Sequence, residues 1–585
     1  MQQTQILDIN QIIDTCLSNN TFGENFQFRK GQRETITSIV EAYIEDPEST
    51  VVIDAPTGTG KSLIAMWCSY IFKEMGKRGY LLTSDLSLQD QYEHDFYKFK
   101  LGWPSIRGID NYDCHVNGLK FSLGECRMRN MGYEQAEKQL QCAAKCDYIQ
   151  TRKRSIDLPV TLLNYSFWLI QRNYVAKRAI EREVEPPFGP RDFVFFDEAH
   201  QVDQIVQNHF TPRIPLNLVD TLMEVRKFLK SVQLEYPHVS PVILQEIVDD
   251  LFKSQDNSVL FIKLKQLKQY LHSYRKTKND VDKLAKKQFG KNLEKPMTTG
   301  YRKAYGRYDF IKDIYCKIDD YIEIIKDAGV DSMVFDQKEK EVRFMCIKES
   351  KMIQKYLHEQ ARFKVFMSAT IGSPHDFVKI MGIKKAKIIR LDEQFSYQKS
   401  PIVFVNKYKL SFRERENNFK HVANMLDKII EKHKGQRGII HTGSYSFSTQ
   451  ILEHSRHRSR LIKYTDSRQK KMSIEAFKSN PGSILIGPSI LEGLDLKDDI
   501  SRFQVFFKVP YPSLGDPLIK AKLKAQPNWY NWKTVISLLQ GVGRSVRNEN
   551  DWAVTYILDA CFESLLMTPN VFPESFKNRI KIIEK

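Results

Sequence analysis

No stretch of this 585-residue chain approaches the roughly eighteen consecutive apolar residues that a bilayer-crossing helix needs, so no membrane span is expected. Residues 1–10 lack both the basic start and the apolar stretch of a secretion signal. Cysteine is sparse: nine residues, an odd number, in a large chain without such a signal. That argues against a disulfide scaffold and for a metal site in a reducing compartment. Internal repeats and low-complexity segments are also missing. Acidic residues are in deficit, 71 against 89 Lys plus Arg, giving a formal charge of +18 and a pI near 9.2. Such a surplus favours an acidic partner such as nucleic acid. What is present, 42% hydrophobic and 27% charged residues, describes a soluble globular protein. At roughly 150 residues per domain the length suits about four domain-sized pieces, which excludes a lone binding module.

Two regions read as short apolar strands alternating with helices, the pattern of α/β layers around a parallel sheet. The first runs from about residue 25 to 100 and resumes near 159, with strands at Val51-Val52-Ile53, Leu81-Leu82-Thr83 and Phe193-Val194-Phe195-Phe196. The second covers about 373–585, with Ile402-Val403-Phe404-Val405, Gly438-Ile439-Ile440-His441, Ile484-Leu485-Ile486, Val505-Phe506-Phe507 and Val554-Thr555-Tyr556-Ile557-Leu558. Near-continuous apolar strands suit sheets covered on both faces. Between them, residues 103–158 hold four cysteines, and residues 208–345 read as mostly helical. There Leu218, Leu222, Val225 and Leu229 share one helix face, and Leu264, Leu267, Leu271 and Tyr274 another. Met333-Val334-Phe335 and Val342-Arg343-Phe344-Met345 flank a polar turn, the pattern of a hairpin.

The strongest local signal is Ala55-Pro56-Thr57-Gly58-Thr59-Gly60-Lys61-Ser62, a P-loop that follows a strand and opens a helix, with Ala55 in place of the usual first glycine. Gly58, Thr59 and Gly60 bring backbone N–H groups to phosphate oxygens, and the helix N-terminus adds a favourable dipole. Lys61 would neutralise the β- and γ-phosphates of ATP, and the Ser62 hydroxyl would ligate Mg²⁺. The strand Phe193–Phe196 runs directly into Asp197-Glu198-Ala199-His200. Asp197 sits where it could hold Mg²⁺, and Glu198 where it could take a proton from an attacking water. His200 could link this site to the second α/β region. Within Gln540-Gly541-Val542-Gly543-Arg544-Ser545-Val546-Arg547, two arginines three apart could reach across a cleft to a γ-phosphate as arginine fingers.

Cys114, Cys126, Cys142 and Cys146 give C-x11-C-x15-C-x3-C. Four thiolates could hold zinc or an iron–sulfur cluster; spacing alone does not decide, and His94 and His115 are further nitrogen donors. Cys16, Cys68, Cys316, Cys346 and Cys561 show no paired spacing and read as structural. Residues 261–310 hold fourteen Lys plus Arg and four Asp plus Glu, a local balance of +10. Tyr270, Tyr274, Tyr301, Tyr305 and Tyr308 are interleaved with them. Basic groups on phosphates and tyrosines stacked on bases would make a single-strand groove.

The P-loop and DEAH box together resemble the superfamily 2 helicases, and further motifs follow in order. Phe28-Arg29-Lys30-Gly31-Gln32 resembles the adenine-recognising segment, which implies Gln32 on the base. Thr83-Ser84 with Leu88-Gln89-Asp90-Gln91 resembles motif Ia, Ser368-Ala369-Thr370 motif III, and Ile440-His441-Thr442-Gly443-Ser444 motif IV. Glu492-Gly493-Leu494-Asp495 resembles motif V, implying Asp495 at the nucleotide, and the Gln540–Arg547 run resembles motif VI. A cysteine-bearing insertion between motif Ia and DEAH, then a helical one between DEAH and motif III, is similar to the XPD/DinG iron–sulfur helicases, whose second insertion is the Arch. Cys146-Asp147-Tyr148 with Arg152 resembles the fourth-ligand segment, although Asp147 stands where proline is usual, and Asn164-Tyr165 resembles the segment before the DEAH strand.

The resemblance implies two RecA-like P-loop NTPase domains of α/β class, the first carrying both insertions. The first RecA-like domain is expected at 1–102, 159–207 and 346–372, the iron–sulfur insertion at 103–158, the Arch-like insertion at 208–345 and the second RecA-like domain at 373–585. It further implies ATP, Mg²⁺ and a 4Fe-4S cluster on Cys114, Cys126, Cys142 and Cys146, with zinc as the alternative. The implied activity is 5′→3′ translocation on single-stranded DNA and opening of forked or tailed duplexes by a monomeric motor. Thr83, Ser84, Thr442, Ser444 and Ser489 are the implied backbone contacts. Competing expectations are a translocase that remodels protein–DNA complexes, an RNA-directed motor, or a catalytically silent single-strand binder. The last is opposed by intact Lys61, Asp197, Glu198, Arg544 and Arg547. The expected location is cytoplasmic, at the nucleoid in a prokaryote or virus, and nuclear in a eukaryote.

Overall fold

The computed structural model describes residues 9–18, 22, 26–56, 58–128, 133–139, 141–181, 183–289, 298–392, 397–464, 466–488, 498–546 and 551–584. Its frame is two fully parallel sheets. The first has six strands in the order β3-β2-β4-β8-β1-β9: β1 Thr50–Asp54, β2 Gly79–Thr83, β3 Val160–Asn164, β4 Phe193–Asp197, β8 Phe363–Ser368 and β9 Lys387–Arg390. Every residue of β1, β2, β4 and β8 is buried, as the unbroken apolar runs require of strands covered on both faces. The second sheet orders seven strands as β12-β13-β11-β14-β15-β10-β16: β10 Ile402–Tyr408, β11 Gly438–His441, β12 Leu461–Lys463, β13 Ile484–Gly487, β14 Phe503–Phe506, β15 Val554–Asp559 and β16 Ile580–Ile583. Among the described residues no helix is long and apolar enough to cross a membrane.

Each strand read from the sequence is found, and the sheets also recruit strands that the reading passed over. The expected boundary at residue 372 is corrected by β9, where Val51 to Asp54 of β1 pair in parallel with Lys387 to Arg390. The first sheet therefore runs on to Arg390. Lys387 and Arg390 bracket only two apolar residues, so this edge strand carries little of the pattern that marks a buried one.

The segment after β4 forms a helical body on a small antiparallel base. β5 Arg213–Pro215, β6 Met333–Gln337 and β7 Glu341–Cys346 make that base, and the expected hairpin is the β6–β7 pair, with Phe335 opposite Phe344. Helices Leu218–Ser231, Pro241–Lys253, Asn257–Phe289 and Thr299–Ala328 stand on it. Leu218, Leu222, Val225, Leu229, Leu264, Leu267, Leu271 and Tyr274 are all buried, as their helical spacing predicts. Buried Asp320, on the last of these helices, holds the body to the first domain, pairing with Lys177 Nζ at 2.5 Å and accepting from Asn173.

The expected base-stacking role of the tyrosines is corrected here. Tyr274, Tyr301, Tyr305 and Tyr308 are buried between the two long helices, and Tyr270 is half-buried against the same core. The Tyr305 hydroxyl donates to Asp282 Oδ1 at 2.7 Å, and the Tyr308 and Thr277 hydroxyls lie 2.7 Å apart. At spacings of three and four these rings share one helix face, and that face is the seam between the helices. The lysines are on the other side. Lys265, Lys276, Lys286 and Lys287 are exposed, whereas Lys263, Lys268 and Lys278 pair with Asp250, Asp319 and Asp282.

Candidate nucleotide site and its links to the second domain

β1 ends at Asp54 and the P-loop helix, Lys61–Glu74, starts seven residues later. Gly58 at φ 90° and Gly60 at φ 75° take left-handed conformations that a side chain resists. At Gly60 a Cβ would also lie 2.4 Å from Gln32 Nε2. Buried Gln32 donates from Nε2 to the Thr59 carbonyl at 2.6 Å and accepts the Arg29 N–H at 2.8 Å. The Arg29 guanidinium also holds the Gly58 carbonyl. The segment upstream therefore clamps the loop from outside, while the Thr59 hydroxyl braces it from within by donating to the Pro56 carbonyl at 2.8 Å. Ser62 is half-buried in the first turn of the helix.

β4 delivers the carboxylates. Asp197 is buried at its end and accepts from the Tyr92 hydroxyl at 2.9 Å and the Glu198 N–H at 2.8 Å. The Tyr165 hydroxyl donates to the Asp197 carbonyl at 2.8 Å. Glu198 adopts φ 50°, which is costly for a residue with a Cβ and swings the chain sharply out of the strand. Its Oε1 lies 3.1 Å from Lys61 Nζ and its Oε2 3.3 Å from His200 Nδ1. Burial pushes the Asp197 carboxyl up to about 6 against the pull of Lys61. Burial also works against ionised Glu198, but Lys61 and then His200 outweigh it and hold that carboxyl well below the usual range. Lys61 and His200 together thus keep Glu198 ionised, which makes the pair unequal.

His200 is the junction. Its Nδ1 lies 2.8 Å from the Ser368 hydroxyl at the end of β8, and Ser368 in turn accepts the Thr370 N–H at 3.1 Å. Its Nε2 meets the side-chain amide of Gln540, from helix Pro527–Val542 of the second domain. The expected link between DEAH and the second α/β region is therefore a direct side-chain contact. Arg544 lies just beyond that helix, half-buried, in a turn pinned by its own N–H on the Gly541 carbonyl at 3.2 Å and by the Ser545 and Ser501 hydroxyls, 2.9 Å apart. Arg547, Asp495 and Ser489 lie outside the described residues.

The remaining candidates fall in two other places. Thr83 ends β2 and Thr442 follows β11, both buried, with hydroxyls bonded inside the protein: Thr83 to the Asp85 carbonyl at 3.3 Å, Thr442 to the Ser444 carbonyl at 2.9 Å. Ser84 donates to Asp85, and Ser444 caps helix Tyr445–His454 by accepting the Phe447 N–H at 3.1 Å. Each turn lies at the C-terminal edge of its parallel sheet. The cysteines converge: Cys114, Cys126, Cys142 and Cys146 line one small cavity with His115 and Glu125. Burial and then the neighbouring Cys114 and Cys146 push the Cys126 thiol up to about 12. Among the described residues, no three His, Cys, Asp or Glu side chains are gathered about a single ion-sized point.

Three partners of the site carry no motif signal. Tyr92 braces Asp197 from 105 positions away, and Asp203 and Lys533 form a 2.6 Å ion pair between the domains. Only the facing of α/β layers brings these residues together.

The comparisons with known proteins follow the same two halves. A family model described as "Type III restriction enzyme, res subunit" matches residues 25–234, and one described as "Helicase C-terminal domain" matches residues 426–578. The chain is 24% identical to the ATP-dependent DNA helicase YoaA of Haemophilus influenzae, with 94% of each covered. It is 21% identical to the ATP-dependent DNA helicase XPD of Sulfolobus acidocaldarius, over 89% of this chain and 94% of that one. Among solved structures, an XPD helicase superposes with a TM-score of 0.59 at 16% identity, and Xpd4 of S. tokodaii with 0.57 at 14%. Each covers 95% of this chain and is itself fully covered, so the fold is shared from end to end. With the nucleotide motifs in place on that fold and both halves matched, the chain is similar over nearly its whole length to the XPD/DinG-like helicases.

Proposed function

We propose that this chain is an ATP-dependent DNA helicase that moves 5′→3′ along single-stranded DNA and opens tailed duplexes as a monomer. The observation that carries the reading is the unbroken chain Lys61–Glu198–His200–Gln540, which joins a phosphate-binding loop to the second domain. ATP would draw Lys61 onto its β- and γ-phosphates and leave Glu198 free to orient a water and take its proton. Ser62 and Asp197 would hold Mg²⁺, which would supply charge neutralisation at the phosphates. Arg544 and Arg547, from the other domain, would meet the transferring phosphoryl group only when the cleft closes, so hydrolysis and domain motion are one event. Four cysteines that line one cavity fit a shared metal centre, a 4Fe-4S cluster or zinc. Cys114, Cys126, Cys142 and Cys146 would hold it, and bound there it would cross-link the insertion.

The test is unwinding of matched 5′-tailed and 3′-tailed DNA duplexes with ATP, using protein purified without oxygen and assayed for iron, sulfide and zinc. Opening of the 5′-tailed substrate alone is expected. Opening of only the 3′-tailed one overturns the polarity, and single-strand-stimulated hydrolysis without opening makes the chain a translocase. A stronger response to RNA tails reassigns the substrate.

Four exposed lysines of helix Asn257–Phe289 that make no ion pair with its carboxylates give a separate prediction. Replacing Lys265, Lys276, Lys286 and Lys287 by Gln should flatten the salt dependence of single-strand binding by about 0.7 in slope for each lysine on a phosphate. A slope equal to wild type removes this face from the DNA path.

A further inference from the structure

Helix Pro527–Val542 touches the first domain through more than Gln540. Trp529, Lys533 and Gln540 are spaced four and seven apart, on one face of the helix. All three reach the turn and helix that follow the DEAH strand. Lys533 Nζ donates to the His200 carbonyl at 3.2 Å and pairs with Asp203 Oδ1 at 2.6 Å. The Trp529 indole N–H donates to the other oxygen of Asp203 at 3.1 Å. Asp203 is 1% exposed and opens helix Val202–His209, three residues past His200. His200 is thus gripped by the second domain twice, through its ring by Gln540 and through its backbone by Lys533. A buried carboxylate whose two oxygens are both taken by the opposite domain does not serve solubility, and the pair is 330 positions apart in sequence.

We propose that Lys533 and Asp203 are positioning residues for hydrolysis: their ion pair holds the DEAH turn, and so Glu198, in register with the second domain when the cleft closes. Neither residue belongs to the P-loop or to the Asp197–His200 turn. The inference rests on the ATPase reading given above, and it adds to it a coupling element outside the helicase motifs. Its consequence is a split between binding and turnover. Without the pair ATP still enters through Gln32, the P-loop and Lys61, but the turn that carries Glu198 and His200 loses its second anchor.

The experiment compares wild type with Lys533→Met, Lys533→Arg, Asp203→Asn and the Asp203→Asn/Lys533→Met double variant. Steady-state hydrolysis is measured with saturating single-stranded DNA, together with the affinity for a fluorescent non-hydrolysable ATP analogue and the melting temperature. We expect kcat to fall about 10- to 100-fold in Lys533→Met and Asp203→Asn, with KM for ATP and analogue affinity within about twofold. Lys533→Arg, which keeps the charge, should recover part of the loss. The double variant, which leaves no buried charge unpaired, should melt near wild type yet stay as slow as the singles. If the double variant instead regains wild-type turnover, the pair is an interface brace and the proposal fails. It fails equally if kcat is unchanged in the singles, or if analogue affinity falls in step with kcat. A wild-type protein with no hydrolysis at all would overturn the ATPase reading itself, a different result from normal hydrolysis in every variant.

Discussion

Replacement of Lys61 by Ala is expected to lower DNA-stimulated ATP hydrolysis by at least about 10³-fold, the loss typical when a preorganised charge at the transferring group is removed. Lys61 is the first residue of its helix and the partner of Glu198 at 3.1 Å. Two losses therefore coincide. The phosphates lose their cation, and Glu198 loses the strongest influence keeping it ionised, so burial pushes its carboxyl upward. The fold should tolerate the change, because His200 still faces Glu198 at 3.3 Å and both members of the lost pair are partly exposed. A melting temperature within about 4 °C of wild type is expected. Phosphate release and nucleotide affinity, measured side by side with Glu198→Gln, separate the two effects. Glu198→Gln should bind ATP and not turn it over, whereas Lys61→Ala should fail at both. A Lys61→Ala protein that hydrolyses normally would remove the P-loop from the mechanism.

Arg544→Ala should be nearly as damaging to turnover and far less so to binding. An arginine brought to the γ-phosphate from another domain stabilises charge that is largest in the transition state, and its removal costs about 10³- to 10⁵-fold in kcat. Arg544 is built for a fixed approach: the turn that carries it is closed by the Arg544 N–H on Gly541, by the Gly543 N–H on the Leu539 carbonyl at 3.0 Å and by the Ser501–Ser545 contact. Arg544→Lys should recover little, because an ammonium lacks the two-pronged donor geometry that matches a phosphoryl group. Single-turnover hydrolysis with prebound ATP checks this directly. Loss of ATP affinity equal to the loss of rate would place Arg544 in ground-state binding instead.

The strands, the P-loop and the DEAH turn were legible because each is written in neighbouring residues. An unbroken apolar run makes a strand buried on both faces, glycines at left-handed positions make the phosphate loop, and the acidic pair follows its strand without a gap. The same locality explains the misreadings. Lys387–Arg390 is too short and too charged to look like part of a parallel sheet, yet one edge of β1 was open to receive it. Tyr274, Tyr301, Tyr305 and Tyr308 sit among lysines in sequence, which suggests stacking on bases. A helix, however, sends residues three or four apart to one side and their neighbours to another, and the partner helix took the tyrosine side.

By itself the amino-acid order determined the apolar runs of the two sheets and the nucleotide motifs, since those depend on spacing within a few residues. Which groups meet across hundreds of residues was decided by tertiary structure alone. Gln540 on His200, 340 positions apart, and Lys533 on Asp203, 330 apart, follow from how layers pack against each other. Packing is set by the summed burial of whole faces, a quantity that no short motif records.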